Sequence, residues 1–190
     1  MILPEREVFL RKTAIVKMAH SSTSIEGNLL KQHEVEAIQA GKKINAEEKQ
    51  IIEVKNYLKA LKQIDMLSET KKDFSVKDTK KIHSIVMQKL INQQKIEEFR
   101  KNQVYIVNIL NGIEEIAYTP PQSKDVEGYI NELFEWLETN NLHPIIKAGI
   151  FHYQFESIHP FVDGNGRTGR LLTLLNLYQS GFQFKQKEIL

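Results

Sequence analysis

One run of twelve residues holds most of the chemistry that this chain can offer: His159-Pro160-Phe161-Val162-Asp163-Gly164-Asn165-Gly166-Arg167-Thr168-Gly169-Arg170. An imidazole such as His159 titrates near neutral pH and can serve as a general base. Asp163 is an oxygen ligand of the kind that Mg²⁺ accepts, usually with phosphates and waters completing the shell. Gly164, Asn165 and Gly166 stand where successive backbone N–H groups can turn toward one anion, just ahead of a helix whose N-terminus favours negative charge. Arg167 and Arg170 lie three residues apart, so the spacing predicts a shared helix face and two guanidiniums suited to phosphate oxygens. Together these residue types point to phosphate chemistry at a joint between two helices.

Each part has a plainer reading. Asp-Gly and Asn-Gly form turns, Asp163 or Asn165 can cap a helix, and a histidine at a helix end can simply serve its carbonyls. An EF-hand calcium loop fails, because Arg167 and Leu174 fall where that loop needs an oxygen ligand and a bidentate glutamate. A second constellation, Ser21 to Asn28, lies at the end of a predicted N-terminal helix. Glu26 there sits at the wrong end of the helix dipole, so it is either solvated or held by a tertiary cation.

The twelve-residue string resembles, at every fixed position, the HPFx(D/E)GN(G/K)RxxR signature of the Fic (Fic/Doc) family, most characterised members of which move AMP from ATP to a protein hydroxyl. The resemblance implies that His159 is the base, Asp163 the Mg²⁺ ligand and Gly164, Asn165 and Gly166 the anion hole. It further implies that Arg167, Thr168, Gly169 and Arg170 belong to the nucleotide site, Arg170 holding the γ-phosphate. The Doc branch, which transfers phosphate, has lysine at the position of Gly166, so glycine here favours nucleotidyl transfer. Ser22-x-x-x-Glu26-Gly27 resembles the (S/T)xxxE(G/N) inhibitory motif of the same family. That likeness implies a salt bridge from Glu26 to Arg170, competing with the γ-phosphate, and a bond from Ser22 near the anion hole.

Helices must position these groups. The apolar spacing predicts helices over 5–26, 34–40, 46–66, 75–91, 126–138 and 144–158, followed by one that carries Leu171 to Tyr178. Gly27 and Gly41 stand as stops, and Pro144 as a helix start. Val8, Ile15 and Met18 mark the inner side of the first helix. Ile145, Ala148, Phe151, Phe155 and Ile158 lead the sixth toward His159. Gln103–Asn108 and Ile113–Tyr118 read instead as strands of a hairpin around Asn111-Gly112. In Fic proteins such a hairpin is a flap that pairs with the target backbone, and Ile116, Ala117 and Tyr118 match its inner strand. His152 shares the face of His159 but has no third metal ligand at suitable spacing, and reads as a core residue. Trp136 reads as core or interface. Residues 30–75 carry no usable motif.

Composition agrees. With 41% hydrophobic and 26% charged residues the chain is ordinary for a globular protein, and its net charge of +2 gives no argument for a nucleic-acid surface. Without cysteine, thiol catalysis and disulfides are excluded. No apolar run approaches a membrane span, and the N-terminus lacks a signal-peptide pattern, so a cytoplasmic setting is expected. The expected architecture is one all-α Fic domain over 1–190 with a small β-hairpin. Within it lie an inhibitory segment at 5–28 and a core at 75–190 with its flap at 103–118. The expected activity is Mg²⁺-dependent protein adenylyl transfer with ATP as co-substrate. Its alternatives are AMP removal with Glu26 activating water, or a non-enzymatic nucleotide-binding module. The implied partners are a target protein at the flap and, as in relatives, a second copy of the chain.

Overall fold

The computed structural model describes residues 4–70, 75–92, 96, 98–110 and 112–182. Among them run helices α1 (Pro4–Ile25), α2 (Gln32–Gln39), α3 (Glu48–Glu69), α4 (Val76–Val86), α5 (Val126–Thr139), α6 (Pro144–Ile158) and α7 (Asn165–Gln179), with a single hairpin, β1 (Ile106–Leu110) and β2 (Ile113–Tyr118), between α4 and α5. The mainly helical expectation holds.

Helical spacing explains which groups turn inward. In α1, Val16, Ala19, Ser22 and Thr23 recur at three- and four-residue intervals and are all buried, so the stripe that seats the helix also carries Ser22 inside. Val8, expected on that side, is exposed, because the first turns of α1 extend past the core. Gly27 then ends the helix in a left-handed conformation, φ +90°, which costs glycine little. Helix α3 buries Val54, Tyr57, Ala60, Leu61 and Ile64 on one stripe and lies against α1, α2, α4 and α7.

Helices α6 and α7 form the closest functional pair. Phe151, Phe155 and Phe161 are completely buried, each contributing about 1.5–3 kcal/mol through its removal from water. Their approach requires Gly169, where a Cβ would stand 3.0 Å from Phe155 Cδ1. Ile145, at the start of α6, is exposed, since the stripe reaches the core only from Ala148 onward.

Several boundaries differ from expectation: α3 runs Glu48–Glu69 rather than 46–66, and further differences lie at α4 and β1. Helix α4 stops at Val86 rather than 91, its end giving way to Lys89 at φ +63°. Strand β1 begins at Ile106, three residues later than expected, and continues to Leu110, with a register irregularity between Ile106 and Val107. Among the described residues no helix is long and apolar enough to cross a membrane.

Candidate active site

His159 closes α6 in a left-handed conformation, φ +50° and ψ 62°, an uncommon state for a residue with a Cβ. What holds it there is Arg100, a buried residue that sequence reasoning missed. Its Nε donates to the His159 carbonyl at 2.8 Å and Nη2 to the Ile158 carbonyl at 3.4 Å, serving the orphan carbonyls of the helix end. Arg100 also reaches the base of the hairpin, donating to Asn102 O at 3.2 Å and to Pro121 O. The His159 ring is half-buried, its Nδ1 enclosed without a hydrogen bond. Burial lowers its pKa against the pull of the Glu156 carbonyl, and Arg100 lowers it further. The neutral ring is therefore the resting form, as a base requires.

The loop to α7 is closed by Asn165. Its Oδ1 accepts from Phe161 N and its Nδ2 donates to Phe161 O, both at 2.8 Å. Buried so, Asn165 shapes the loop through its side chain and can meet an anion only through its backbone. A second missed residue, His83 of α4, stacks on Phe161 with centroids 3.6 Å apart and sits between the carbonyls of Ile96 (2.6 Å) and Asp163 (3.0 Å). Burial lowers its pKa against both carbonyls. A neutral ring has one N–H, so it donates to one of the two at a time. Gly164 adopts φ +78°, and a Cβ there would stand 2.5 Å from Met87 Sδ. A side chain there would have to displace Met87 and hold a strained backbone.

Asp163 keeps its carboxylate half-exposed. Its Oδ1 accepts from Gly164 N at 2.5 Å and from Arg167 Nη2 at 3.3 Å. Among the described residues no three His, Asp or Glu side chains gather to hold a metal. A lone accessible carboxylate beside a glycine turn at a helix N-terminus nevertheless fits Mg²⁺ that arrives with a nucleotide, because phosphates then supply the other ligands.

The two arginines do not share an open face. Arg167 is buried and turned to Glu53 of α3 (3.4 Å) as well as to Asp163. Glu53 in turn accepts from Asn28 Nδ2 at 2.8 Å, so the exit of α1, α3 and the metal-ligand candidate form one chain. Arg167 thus meets Asp163 and Glu53 and leaves little of its guanidinium open to solvent. Thr168 is likewise fully buried, its Oγ1 without a partner, and offers a ligand no side chain.

Arg170 is the partly exposed cation. Nη2 donates to Glu26 Oε1 at 2.6 Å and to the Ser22 carbonyl at 3.1 Å, while Nε donates to Ser22 Oγ at 2.8 Å. Ser22 thus turns to Arg170 and not to the glycine turn. Tyr57 of α3, raised in pKa by burial, completes the group through Ser22 and Arg170. The Glu26 carboxylate also covers the first turn of α7, since a Cβ on Gly166 would stand 2.5 Å from Oε1. A negatively charged group already rests where the helix N-terminus favours an anion.

The hairpin lies with nearly every residue exposed, including Ile116, Ala117 and Tyr118. Tyr118 donates to the Ser157 carbonyl at 3.1 Å, tying β2 to the end of α6 two residues before His159. His152 of α6 is hydrogen-bonded rather than metal-directed, its Nδ1 lying 3.3 Å from Thr173 Oγ1. Glu53 and Tyr57 fall in the region that carried no recognisable motif.

Residues 73–177 match the model of the Fic/DOC family. The "Protein adenylyltransferase Fic" of Drosophila melanogaster is 32% identical over 180 residues, covering 90% of this chain and 34% of that protein. The Drosophila willistoni protein of the same name is 31% identical over the same length. The chain spans about a third of the length of these curated relatives. A Fic family protein from Desulfovibrio desulfuricans G20 superposes with a TM-score of 0.80 at 29% identity, over 95% of this chain and 53% of that one. A Fic-domain signalling protein from Bacteroides thetaiotaomicron VPI-5482 gives the same score at 23% identity, over 95% and 68%, and speaks to the fold alone.

Proposed function

Because the chain belongs to the Fic/DOC family, we propose that it transfers AMP from ATP to a Ser, Thr or Tyr hydroxyl of a target protein, and that Glu26 restrains this activity by holding Arg170. The observation that carries the reading is the arrangement around α7. A half-buried neutral base stands at one end of the glycine turn, and the available cation beyond it is occupied by a carboxylate from α1.

In this reading the hydroxyl oxygen attacks the α-phosphorus, pyrophosphate leaves with the electron pair of the broken P–O bond, and AMP stays on the target. His159 takes the hydroxyl proton. A neutral imidazole carries one N–H and one bare nitrogen, and the bare nitrogen is the one that accepts. Backbone N–H groups at the start of α7, from Asn165 and Gly166, receive the phosphate oxygens, and Arg170 orients the γ-phosphate once Glu26 has left. Asp163, fixed by Gly164 N and Arg167, would hold Mg²⁺, which neutralises charge on the phosphates. The exposed hairpin presents open strand edges for the target backbone, so recognition asks little of target sequence.

Incubation with ATP labelled on the α-phosphate and Mg²⁺ tests the proposal. Label should enter protein with the Glu26→Gly variant, and His159→Ala in that background should abolish transfer while ATP affinity changes less than about twofold. Undiminished label with His159→Ala would remove His159 as the base. The place of Glu26 over the α7 N-terminus also favours a second reaction, release of AMP from a modified target with Glu26 activating water. An AMP-modified target incubated with Mg²⁺ alone should then shed AMP, and shed none with Glu26→Gly.

A further inference from the structure

The proposed chemistry leaves Glu156 unused. It stands on α6 one turn before His159, and its Oε1 is buried with no hydrogen-bond partner. The same oxygen lies against Gly169, where a Cβ would come within 2.7 Å of it. The next residue is Arg170, whose guanidinium is bonded to Ser22 Oγ, Ser22 O and Glu26 Oε1 on α1 and its exit turn and meets Tyr57 on α3, none of them on α6. A guanidinium has five N–H donors in a planar fork and can serve carboxylates along more than one edge. A buried carboxyl oxygen without a donor is a costly arrangement, and here an arginine stands beside it committed elsewhere. The electrostatics agree: burial raises the Glu156 pKa, Arg170 lowers it, and Glu26 raises it again. Two carboxyl groups therefore feel one cation, and Glu26 is the one hydrogen-bonded to it.

We propose that Glu156 is the second seat of Arg170: when Glu26 withdraws, the guanidinium turns one edge to the Glu156 carboxylate and keeps the other for the γ-phosphate. Glu156 is then a positioning residue, acting on the nucleotide through Arg170. It gives the released arginine a fixed direction, and it favours the active arrangement by supplying a partner that the restrained state denies it. This rests on the reading of Arg170 as the γ-phosphate clamp.

The test compares ATP with ADP, which lacks only the γ-phosphate, by calorimetric titration in the presence of Mg²⁺. Glu26→Gly protein should bind ATP more tightly than ADP. Adding Glu156→Gln, which keeps shape and loses charge, should weaken ATP about tenfold, the size of one charge-assisted hydrogen bond, and ADP less than about twofold. The selectivity for the third phosphate then collapses at unchanged Tm. Retained selectivity in the double variant overturns the role of Glu156 alone. Parallel loss of both nucleotides with a lowered Tm overturns it too, in favour of a packing role. Absence of any ATP preference in Glu26→Gly itself would instead refute the clamp assigned to Arg170.

Discussion

Replacing Glu26 by glycine should release the enzyme, and the structure sets the size of the effect. The lost contact is the 2.6 Å bond from Arg170 Nη2 to Oε1, between side chains that are 24% and 27% exposed. A charge-assisted hydrogen bond is worth about 1.5–3 kcal/mol net. With about a quarter of each side chain in water, screening brings this to about 1–2 kcal/mol. The two bonds to Ser22 remain, so the guanidinium is loosened rather than freed. At subsaturating ATP the rate of self-labelling should rise about 5- to 30-fold. Glu26→Gln keeps an acceptor but no charge and should give a smaller gain, as should Ser22→Ala, which removes the bond to Nε and the contact with Tyr57 but leaves the carbonyl bond. The assay is incorporation of labelled AMP with Mg²⁺, at matched ATP and several salt concentrations. Added salt should raise the wild-type rate and leave Glu26→Gly unchanged or lower. Equal rates for wild type and Glu26→Gly, with ATP binding intact, would refute the competition for Arg170.

Three further outcomes follow from other contacts. Transfer needs neutral His159, so the rate should fall as pH drops through its pKa; burial places that pKa below the ordinary 6.5, and a half-maximal rate above that pH would contradict the assignment. Arg100→Ala removes four side-chain bonds to carbonyls at the α6 end and the hairpin base; a loss of about 2–4 kcal/mol and a Tm lower by about 5–15 °C are expected, and a shift within about 1 °C by calorimetry would refute its bracing role. Gly164→Ala forces a Cβ onto Met87 at positive φ, so denaturant unfolding should show a loss of about 1–3 kcal/mol. Adding Met87→Ala should relieve the clash and not the backbone strain.

How much of this was legible in sequence depended on whether the partners were local. The helices announced themselves by apolar spacing, and Gly27, Gly41 and Pro144 by their backbone limits. Helix α4 read too long because Ile85, Val86 and Leu90 keep helical spacing while Lys89 turns left-handed, which no apolar pattern records. The Glu26–Arg170 pair spans 144 residues and was legible only through family likeness. The burial of Arg167 was not legible, because three-residue spacing fixes a face but not whether that face meets solvent or α3. Glu53, Tyr57, His83 and Arg100 stayed hidden for one reason: each acts through a tertiary contact or a backbone carbonyl, and neither leaves a spacing in the chain.

Arg100 has a consequence for how such a protein can change. The same side chain grips the carbonyl of His159 and the two strands' footings at Asn102 and Pro121. The hairpin beyond those footings touches the rest mainly through Tyr118, so its outer residues can be exchanged without moving the base. Anything that tilts the footings, by contrast, pulls on His159 directly. The molecule thus pairs an exchangeable hairpin with a fixed helix end, and one guanidinium keeps the distance between them constant.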